Sequence, residues 1–188
     1  MIRKDDFSRL EINLAGCLDN YRYFRSRLKE STRLLVLVKA NAYGHGAVEF
    51  ASLMEEAGAD YLAVALPVEG VELREAGIKS PIMVLTAGTD SFEQIINYGL
   101  EPGIPNMYSL KLLCDVLQKR GMTNYPIHIK LDTGMHRLGF MTEEMDELID
   151  FLHNCPLVRV KSVYSHLAAA DDPSCDDFTL GQIDLFKK

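Results

Sequence analysis

Residues 34–46 read LLVLVKANAYGHG, an apolar run that ends at a lysine and continues into small residues and glycines. A run of leucine and valine without alternation is typical of a strand buried on both faces, as in parallel sheets covered by helices. In parallel α/β barrels, the carboxyl ends of the strands carry the functional residues. We therefore predict that Lys39 lies at the carboxyl end of a strand, beside a glycine-containing turn that a ligand can approach closely.

The side chain of Lys39 has two interpretations. Many lysines at strand ends lie along an apolar surface and place their charge in solvent. However, residues 40–46 supply a tyrosine, two glycines and a histidine but no acid that could pair with an ammonium group. Partial burial of an amine without a counter-ion favours the neutral form, which is a nucleophile toward carbonyl groups. The biological carbonyl most often held this way is the aldehyde of pyridoxal phosphate.

The composition is that of a globular protein with one substantial core. The chain has 188 residues, of which 47% are hydrophobic and 25% are charged. Its net charge of -7 argues against a nucleic-acid partner. It contains no apolar run long enough to cross a membrane, and residues 1–6 lack the apolar core of a signal peptide. We therefore expect a cytoplasmic protein with no membrane partner.

The cysteines give no indication of a metal site. They are far apart in the sequence and form no zinc-type spacing with one another or with histidine, so we expect free thiols at Cys17, Cys114, Cys155 and Cys175.

Helix and strand patterns alternate along the chain. Residues 10–14 alternate like a short edge strand, and apolar spacing indicates a helix over residues 15–28. Four later helix-like stretches end at glycines that can cap them, namely Gly58, Gly77, Gly99 and Gly121. Ser91 with Gln94 forms a capping-box pattern, and Thr142 is followed by two acids. Strand-like runs occupy residues 61–65, 82–85, 101–104, 127–131 and 158–166.

Counted from Val36, these runs give six candidate parallel strands, each followed by a helix. Such alternation is compatible with an open doubly wound sheet or with a (β/α)8 TIM-type barrel. No G-x-G-x-x-G follows the first strand, which favours the barrel. Six units would leave two exposed sheet edges, so we expect an incomplete barrel that belongs to a longer polypeptide.

Two further strand ends carry candidate functional residues. The segment KLDTGMHRLG, residues 130–139, places Arg137 between two glycines, where its guanidinium can reach an anion or can instead pair with Asp132. Lys130 is predicted to share a face of its strand with His128, opposite the apolar face of Ile127 and Ile129 and toward the barrel interior. His166 ends the sixth strand and is either a core residue or part of the site. His45, His128 and His153 are predicted to be structural.

These segments resemble those of alanine racemases, which are pyridoxal-phosphate enzymes with a barrel domain. Residues 38–46, VKANAYGHG, are similar to the cofactor-lysine motif, and residues 130–139 are similar to a second motif of that family. The third similar segment is VYSHLAAAD, residues 163–171. One departure is His136, where the family more often has glycine or asparagine.

The resemblance implies roles for individual residues. Lys39 would bind the cofactor covalently and act as a base, and Tyr43 would contact its phosphate. Arg137 would bind the phenolate oxygen of the cofactor or the carboxylate of the substrate, and His166 would pack near the pyridine ring. Lys130 is either carbamylated and holds Arg137, or an unmodified amine paired with an acid.

The resemblance also implies a function for the full-length protein. It would interconvert L- and D-alanine as a homodimer and supply D-alanine for the peptidoglycan of the cell wall. Residues 1–188 would be the amino-terminal part of the cofactor-binding barrel domain. The remaining strands, a carboxyl-terminal β domain and the second catalytic base would lie outside it, so we expect this part alone to be inactive.

Three alternatives remain open at this point. The first is a non-catalytic pyridoxal-phosphate carrier, which is a related barrel without a second domain. The second is a racemase of another small amino acid, such as serine. The third is a fusion in which another cell-wall enzyme precedes this chain.

Overall fold

Residues 10–188 are described by the structure, a computed structural model. Its central feature is a sheet of six strands in sequential order, in which every neighbouring pair is parallel. This arrangement confirms the predicted first six units of a TIM-type barrel, in a sheet that is open between its first and last strands. The strands are β1 (Leu35–Leu37), β2 (Tyr61–Val64), β3 (Ile82–Val84), β4 (Glu101–Ile104), β5 (Tyr125–Lys130) and β6 (Val158–Tyr164).

Helices separate the strands in sequence and cover one face of the sheet. A left-handed segment, α2 (Lys39–Gly44), directly follows β1, and short 3-10 turns lie at Thr142–Glu144 and Pro173–Cys175. The right-handed helices are α1 (Leu14–Arg27), α3 (Ala47–Glu56), α4 (Pro67–Glu75), α5 (Phe92–Asn97), α6 (Met107–Lys119), α7 (Met145–His153) and α8 (Asp176–Phe186). No helix in the described part of the chain is long and apolar enough to cross a membrane.

The core lies between the sheet and these helices. Leu62, Ile82, Ile104 and Ile127 are fully buried there. The four glycines predicted to end helices all have positive φ values, between 58° and 93°, in which a side chain would be strained. The regular spacing of these glycines therefore predicted the ends of these four helices correctly. The four cysteines are free, and the sulfur atoms of Cys114 and Cys155 are 3.5 Å apart.

Two local predictions were wrong. The predicted strand over residues 10–14 is not formed, because Leu14 already begins α1 and the Asn13 side chain caps that helix by accepting a hydrogen bond from the Gly16 amide at 3.1 Å. The capping box of Ser91 and Gln94 is also absent, since the Ser91 hydroxyl donates instead to the Gly88 carbonyl at 2.6 Å.

The predicted burial of the first strand on both faces was also wrong. Leu35 is 40% exposed, and Val36 and Leu37 are only partly buried. The reason is topological, because within residues 10–188 β1 pairs with β2 alone and lies at an edge of the sheet. Tyr61–Val64 and Ile82–Val84, which have neighbours on both sides, are buried throughout.

A β-bulge interrupts the pairing of β5 with β6. Ile127 pairs with Val160, but the next residue, His128, pairs with Ser162. Lys161 is therefore the extra residue of the bulge and pairs with no residue of β5. Because side chains alternate along a strand, one extra residue reverses which face the following side chains occupy. The bulge therefore brings Tyr164 opposite Lys130, on the face of the sheet away from the helices.

Candidate active site

Lys39 lies just beyond the carboxyl end of β1, at the start of a left-handed helical turn. Residues 40–43 all have positive φ values, between 50° and 55°. Left-handed geometry costs roughly 1–2 kcal/mol for each residue that has a Cβ atom, and only asparagine among these residue types adopts it routinely. Four such residues in a row are rare, and backbone strain of this kind is concentrated at functional sites.

Hydrogen bonds on both sides hold this turn. The Val38 carbonyl accepts the Ala42 amide at 2.9 Å, and the Asn41 side chain accepts the Ala47 amide at 2.7 Å. Nδ1 of His45 donates to the Ala42 carbonyl at 2.8 Å. This contact agrees with a structural role for His45, which stays a prediction.

Tyr43 leaves the turn on the side of Lys39. Nζ of Lys39 is 5.9 Å from the centroid of the Tyr43 ring, and the tyrosine is exposed. The two side chains predicted from one sequence motif are thus neighbours, and the tyrosine hydroxyl is free to meet a ligand. Its predicted contact with a phosphate stays a prediction.

The loop after β5 leaves Arg137 without an ion pair to any residue that the structure describes. Asp132, the acid considered as its partner, instead accepts the amides of Gly134 at 2.9 Å and His136 at 3.0 Å. Burial alone would raise the pKa of this carboxyl, but these hydrogen bonds hold the pKa below its usual value. Within residues 10–188, no carboxylate forms an ion pair with Arg137, so its guanidinium is available to an anion.

The backbone at His136 would suit glycine or asparagine better than histidine. Its φ is +54°, in the left-handed region that glycine and asparagine adopt with less strain. The closure of the loop depends on Gly139, because a Cβ atom there would lie 2.5 Å from the Asp132 nitrogen. The loop thereby returns Phe140 to the strand, where its amide donates to the Lys130 carbonyl at 2.8 Å.

Lys130, Arg137 and His166 line one narrow cleft at the ends of β5 and β6, together with Met135, Leu138 and Ser165. Nζ of Lys130 lies 4.7 Å from the centroid of the Tyr164 ring, and no carboxylate within the described residues forms an ion pair with it. Burial, and then the charge of Arg137, lower the pKa of Lys130. The predicted pairing of an unmodified Lys130 with an acid is thus not observed.

His166 brings Lys39 into the same electrostatic environment. Burial lowers the pKa of His166, and so do the charges of Lys130, Arg137 and Lys39. The site therefore combines three basic side chains with an imidazole, while its nearest acid, Asp132, is occupied by backbone amides. Such an excess of positive charge favours ligands that carry phosphate or carboxylate groups.

A buried polar cluster lies on the same face of the sheet, nearer the amino ends of the strands. Nε2 of His128 is 2.9 Å from Glu101, Nδ1 of His128 is 2.7 Å from the Ser162 hydroxyl, and Tyr61 donates to Glu101 at 3.1 Å. His128 is structural and shares its face with Lys130, as predicted. The cluster itself was not predicted, because its members come from four different strands.

Comparison with known proteins agrees with this geometry. The family model for the N-terminal domain of alanine racemase matches residues 12–188. The alanine racemase of Synechocystis sp. is 42% identical over 167 residues, which cover 88% of this chain and 45% of the relative. The alanine racemase of Nostoc sp. is 38% identical, covering 87% of this chain and 43% of that protein.

Solved structures give the same result. The alanine racemase of Clostridium difficile 630 in complex with cycloserine has a TM-score of 0.85 and 33% identity, over 90% of this chain and 47% of that one. The alanine racemase from E. faecalis also has a TM-score of 0.85, with 32% identity, over 93% of this chain and 48% of that one. The chain thus spans less than half the length of these relatives. On its sequence and on its fold, this chain belongs to the alanine racemase family.

Proposed function

We propose that the protein containing this chain interconverts L- and D-alanine with pyridoxal phosphate as its cofactor. The observation that carries the proposal is the position of Lys39, which lies at a strand end, at the start of a strained turn, and close enough to His166 for its charge to act on that imidazole. The names of the relatives support the choice of alanine as substrate.

The residues of the site fit this cofactor. A primary amine at Lys39 suits an aldehyde, and the surplus of basic groups suits a phosphate and a phenolate oxygen. When bound, pyridoxal phosphate withdraws electrons from the α-carbon of an amino acid and so makes its α-proton acidic. These matches are chemical, and the contacts with Tyr43, Arg137 and His166 are part of the proposal.

Each residue then has a defined task. Lys39 would hold the aldehyde through Nζ, and once the amino group of alanine has displaced it, the freed amine would move the α-proton on one face. Arg137 directs its guanidinium to the phenolate oxygen of the cofactor or to the carboxylate of alanine. His166 would pack beside the ring. Racemisation also needs an acid–base group on the opposite face, which we assign to the part of the protein outside residues 1–188.

Lys130 is proposed to be carbamylated. Its lowered pKa raises the fraction of neutral amine, which is the form that reacts with carbon dioxide, and the product is an anion beside the unpaired Arg137. Full-length protein incubated with carbon-13-labelled bicarbonate should show a carbamate signal that is lost in Lys130→Gln. A spectrum without that signal in the unsubstituted protein would rule out the modification.

The test of the function uses the full-length protein with pyridoxal phosphate and L-alanine, and measures D-alanine by chiral chromatography. We expect racemisation that is abolished in Lys39→Ala and retained in Lys119→Ala, which removes an exposed lysine at the end of α6. Binding of the cofactor without racemisation of any amino acid would favour a carrier. Faster racemisation of serine than of alanine would change the substrate.

Two further parts of the proposal concern the whole protein. We propose that it is a homodimer in the cytoplasm and that its D-alanine serves peptidoglycan synthesis. Residues 1–188 expressed alone are expected to produce no D-alanine. Sedimentation of the full-length protein tests the dimer, and measurable racemisation by the 188-residue piece would contradict the assignment of the second base to another part of the protein.

A further inference from the structure

Glu69, in the first turn of α4, accepts hydrogen bonds from backbone amides that directly follow β1 and β2. Its Oε1 accepts the Ala40 amide at 2.6 Å, while its Oε2 accepts the amides of Ala65 at 2.7 Å and Leu66 at 2.9 Å. Three donors thus converge on one carboxylate. A hydrogen bond to a charged group is stronger than one between neutral groups.

These amides mark the point at which two neighbouring strands end. The last ladder hydrogen bond between them runs from the Val38 amide to the Ala63 carbonyl at 2.8 Å. Beyond it, the chain after β1 enters the left-handed turn, and the chain after β2 enters α4. The Glu69 carboxylate therefore accepts hydrogen bonds from amides that lie beyond the last hydrogen bond between the two strands.

Ala40 is the residue after Lys39 and the first residue of the turn with a positive φ. Its amide belongs to the peptide group that joins Lys39 to the turn. A hydrogen bond there restricts rotation of the peptide that carries the Lys39 side chain. We propose that Glu69 is a positioning residue, which holds the turn at residues 39–43 in its left-handed form and so directs Lys39 and Tyr43 toward the cofactor.

The effect on cofactor binding rests on the proposed function, whereas the hydrogen bond between Glu69 and the turn does not depend on it. The competing interpretation is that Glu69 only caps α4 through its bonds to Ala65 and Leu66. A helix cap alone would affect the stability of α4 and leave the turn after Lys39 unchanged. The bond to Ala40, 29 residues away in sequence, is what distinguishes the two interpretations.

The substitution Glu69→Gln separates them. Glutamine has nearly the same shape but only one acceptor oxygen, and its amide nitrogen would face a backbone donor. A matched control is Glu144, whose Oε2 accepts the Met141 amide at 2.7 Å before α7. Glu144→Gln therefore weakens a comparable cap that has no bond to the turn after Lys39.

The first measurement needs no cofactor. Hydrogen–deuterium exchange of the full-length protein is followed for the peptide that covers residues 38–46. We expect Glu69→Gln to exchange faster than the unsubstituted protein over this peptide, and Glu144→Gln to exchange at the unsubstituted rate. Unchanged exchange in Glu69→Gln would overturn the proposal, because the turn would then hold its shape without the carboxylate.

The second measurement adds pyridoxal phosphate and determines its dissociation constant from the visible absorbance of the covalent adduct. We expect about ten-fold weaker binding in Glu69→Gln, as for the loss of one charge-assisted hydrogen bond, and unchanged binding in Glu144→Gln. Equal affinity of Glu69→Gln and the unsubstituted protein would refute the positioning role. If the unsubstituted protein forms no adduct, the proposed function fails, and the exchange measurement alone decides whether Glu69 holds the turn.

Discussion

Nδ1 of His128 and the hydroxyl of Ser162 are 2.7 Å apart, at the point where the β-bulge shifts the pairing of β5 with β6. The histidine is 3% exposed, and its other ring nitrogen is 2.9 Å from Glu101. In a register without the bulge, Lys161 would lie opposite His128, and Tyr164 would turn toward the helices. We infer that this hydrogen bond holds the register in which Tyr164 lies opposite Lys130, two residues before His166.

Two substitutions separate the contacts of His128. In His128→Asn, the side-chain nitrogen lies near the position of Nδ1 and can still bond Ser162. In His128→Gln, it lies near the position of Nε2 and can still bond Glu101. We expect both to lower the free energy of unfolding by about 1–3 kcal/mol, because each leaves a buried polar group unpaired.

Only His128→Gln should also change the cleft around Lys130, Arg137 and His166, because it loses the hydrogen bond to Ser162 at the bulge. NMR of the His166 ring should show a shifted resonance in His128→Gln and a nearly unchanged one in His128→Asn. Equal shifts in the two variants, or none in either, would mean that the bond to Ser162 does not set the position of β6.

The sequence supplied most of this fold. Apolar runs located all six strands, and glycines located the ends of four of the helices between them, because these signals are local and repeated. Lys39, Arg137 and His166 were identified from local motifs for the same reason. The bulge at Lys161 was missed because both faces of residues 158–164 read as mixed, so that alternation defines no unique register.

Other features could not be read from local patterns. Only Asn41 among residues 40–43 favours a left-handed backbone, so the turn after Lys39 gives almost no sequence signal. Glu69 follows Leu66, which is not a capping residue, and its bond to Ala40 spans 29 residues. These features depend on tertiary contacts, and they are concentrated around the candidate site.

The titration of His166 should report the charge at Lys130. Burial and then the charge of Lys130 lower the pKa of this imidazole. In buffer free of carbon dioxide, we expect Lys130→Gln to raise the pKa of His166 toward its ordinary value, as measured by NMR of the ring protons.

Repeating the His166 titration in buffer that contains bicarbonate tests whether Lys130 becomes carbamylated. A carbamate on Lys130 would replace a positive charge by a negative one, and the pKa of His166 in the unsubstituted protein would then rise. Lys119→Gln, at the end of α6, is the control and should leave the titration unchanged. A His166 pKa that is insensitive to Lys130→Gln would contradict the proximity of the two groups.

Glu101 should make stability depend on pH in acid. Burial raises its pKa, but the hydrogen bonds from His128 and Tyr61 outweigh burial and leave the pKa below 4.5. A carboxyl with a lowered pKa in the folded state stabilises that state above its unfolded pKa, and the contribution is lost as the pH falls through the folded pKa.

The corresponding test is urea unfolding of Glu101→Gln. At pH 7 we expect a loss of about 2 kcal/mol, since charge-assisted hydrogen bonds are replaced by neutral ones. The difference from the unsubstituted protein should shrink as the pH falls below 4.5. A difference that stays constant down to acid unfolding would show that the Glu101 carboxylate carries no such stabilisation.

The strain in the turn after Lys39 can be measured directly. Glycine adopts positive φ values without a Cβ clash, so Ala40→Gly, at φ 51°, should raise the free energy of unfolding by up to about 1 kcal/mol. Ala15→Gly, on the exposed surface of the right-handed helix α1, should lower it by about 0.5–1 kcal/mol. The opposite signs in chemical denaturation are the prediction, and a comparable loss in both variants would argue against a left-handed turn.

The central claim, that the Lys39 amine binds the aldehyde of pyridoxal phosphate, is tested most directly by chemical trapping. The full-length protein is incubated with the cofactor, reduced with borohydride, digested and mapped by mass spectrometry. We expect a pyridoxyl group on Lys39 and none on Lys130, although the charges of both lysines act on His166. A pyridoxyl group on Lys130, or an unmodified Lys39 in protein that has bound the cofactor, would contradict it.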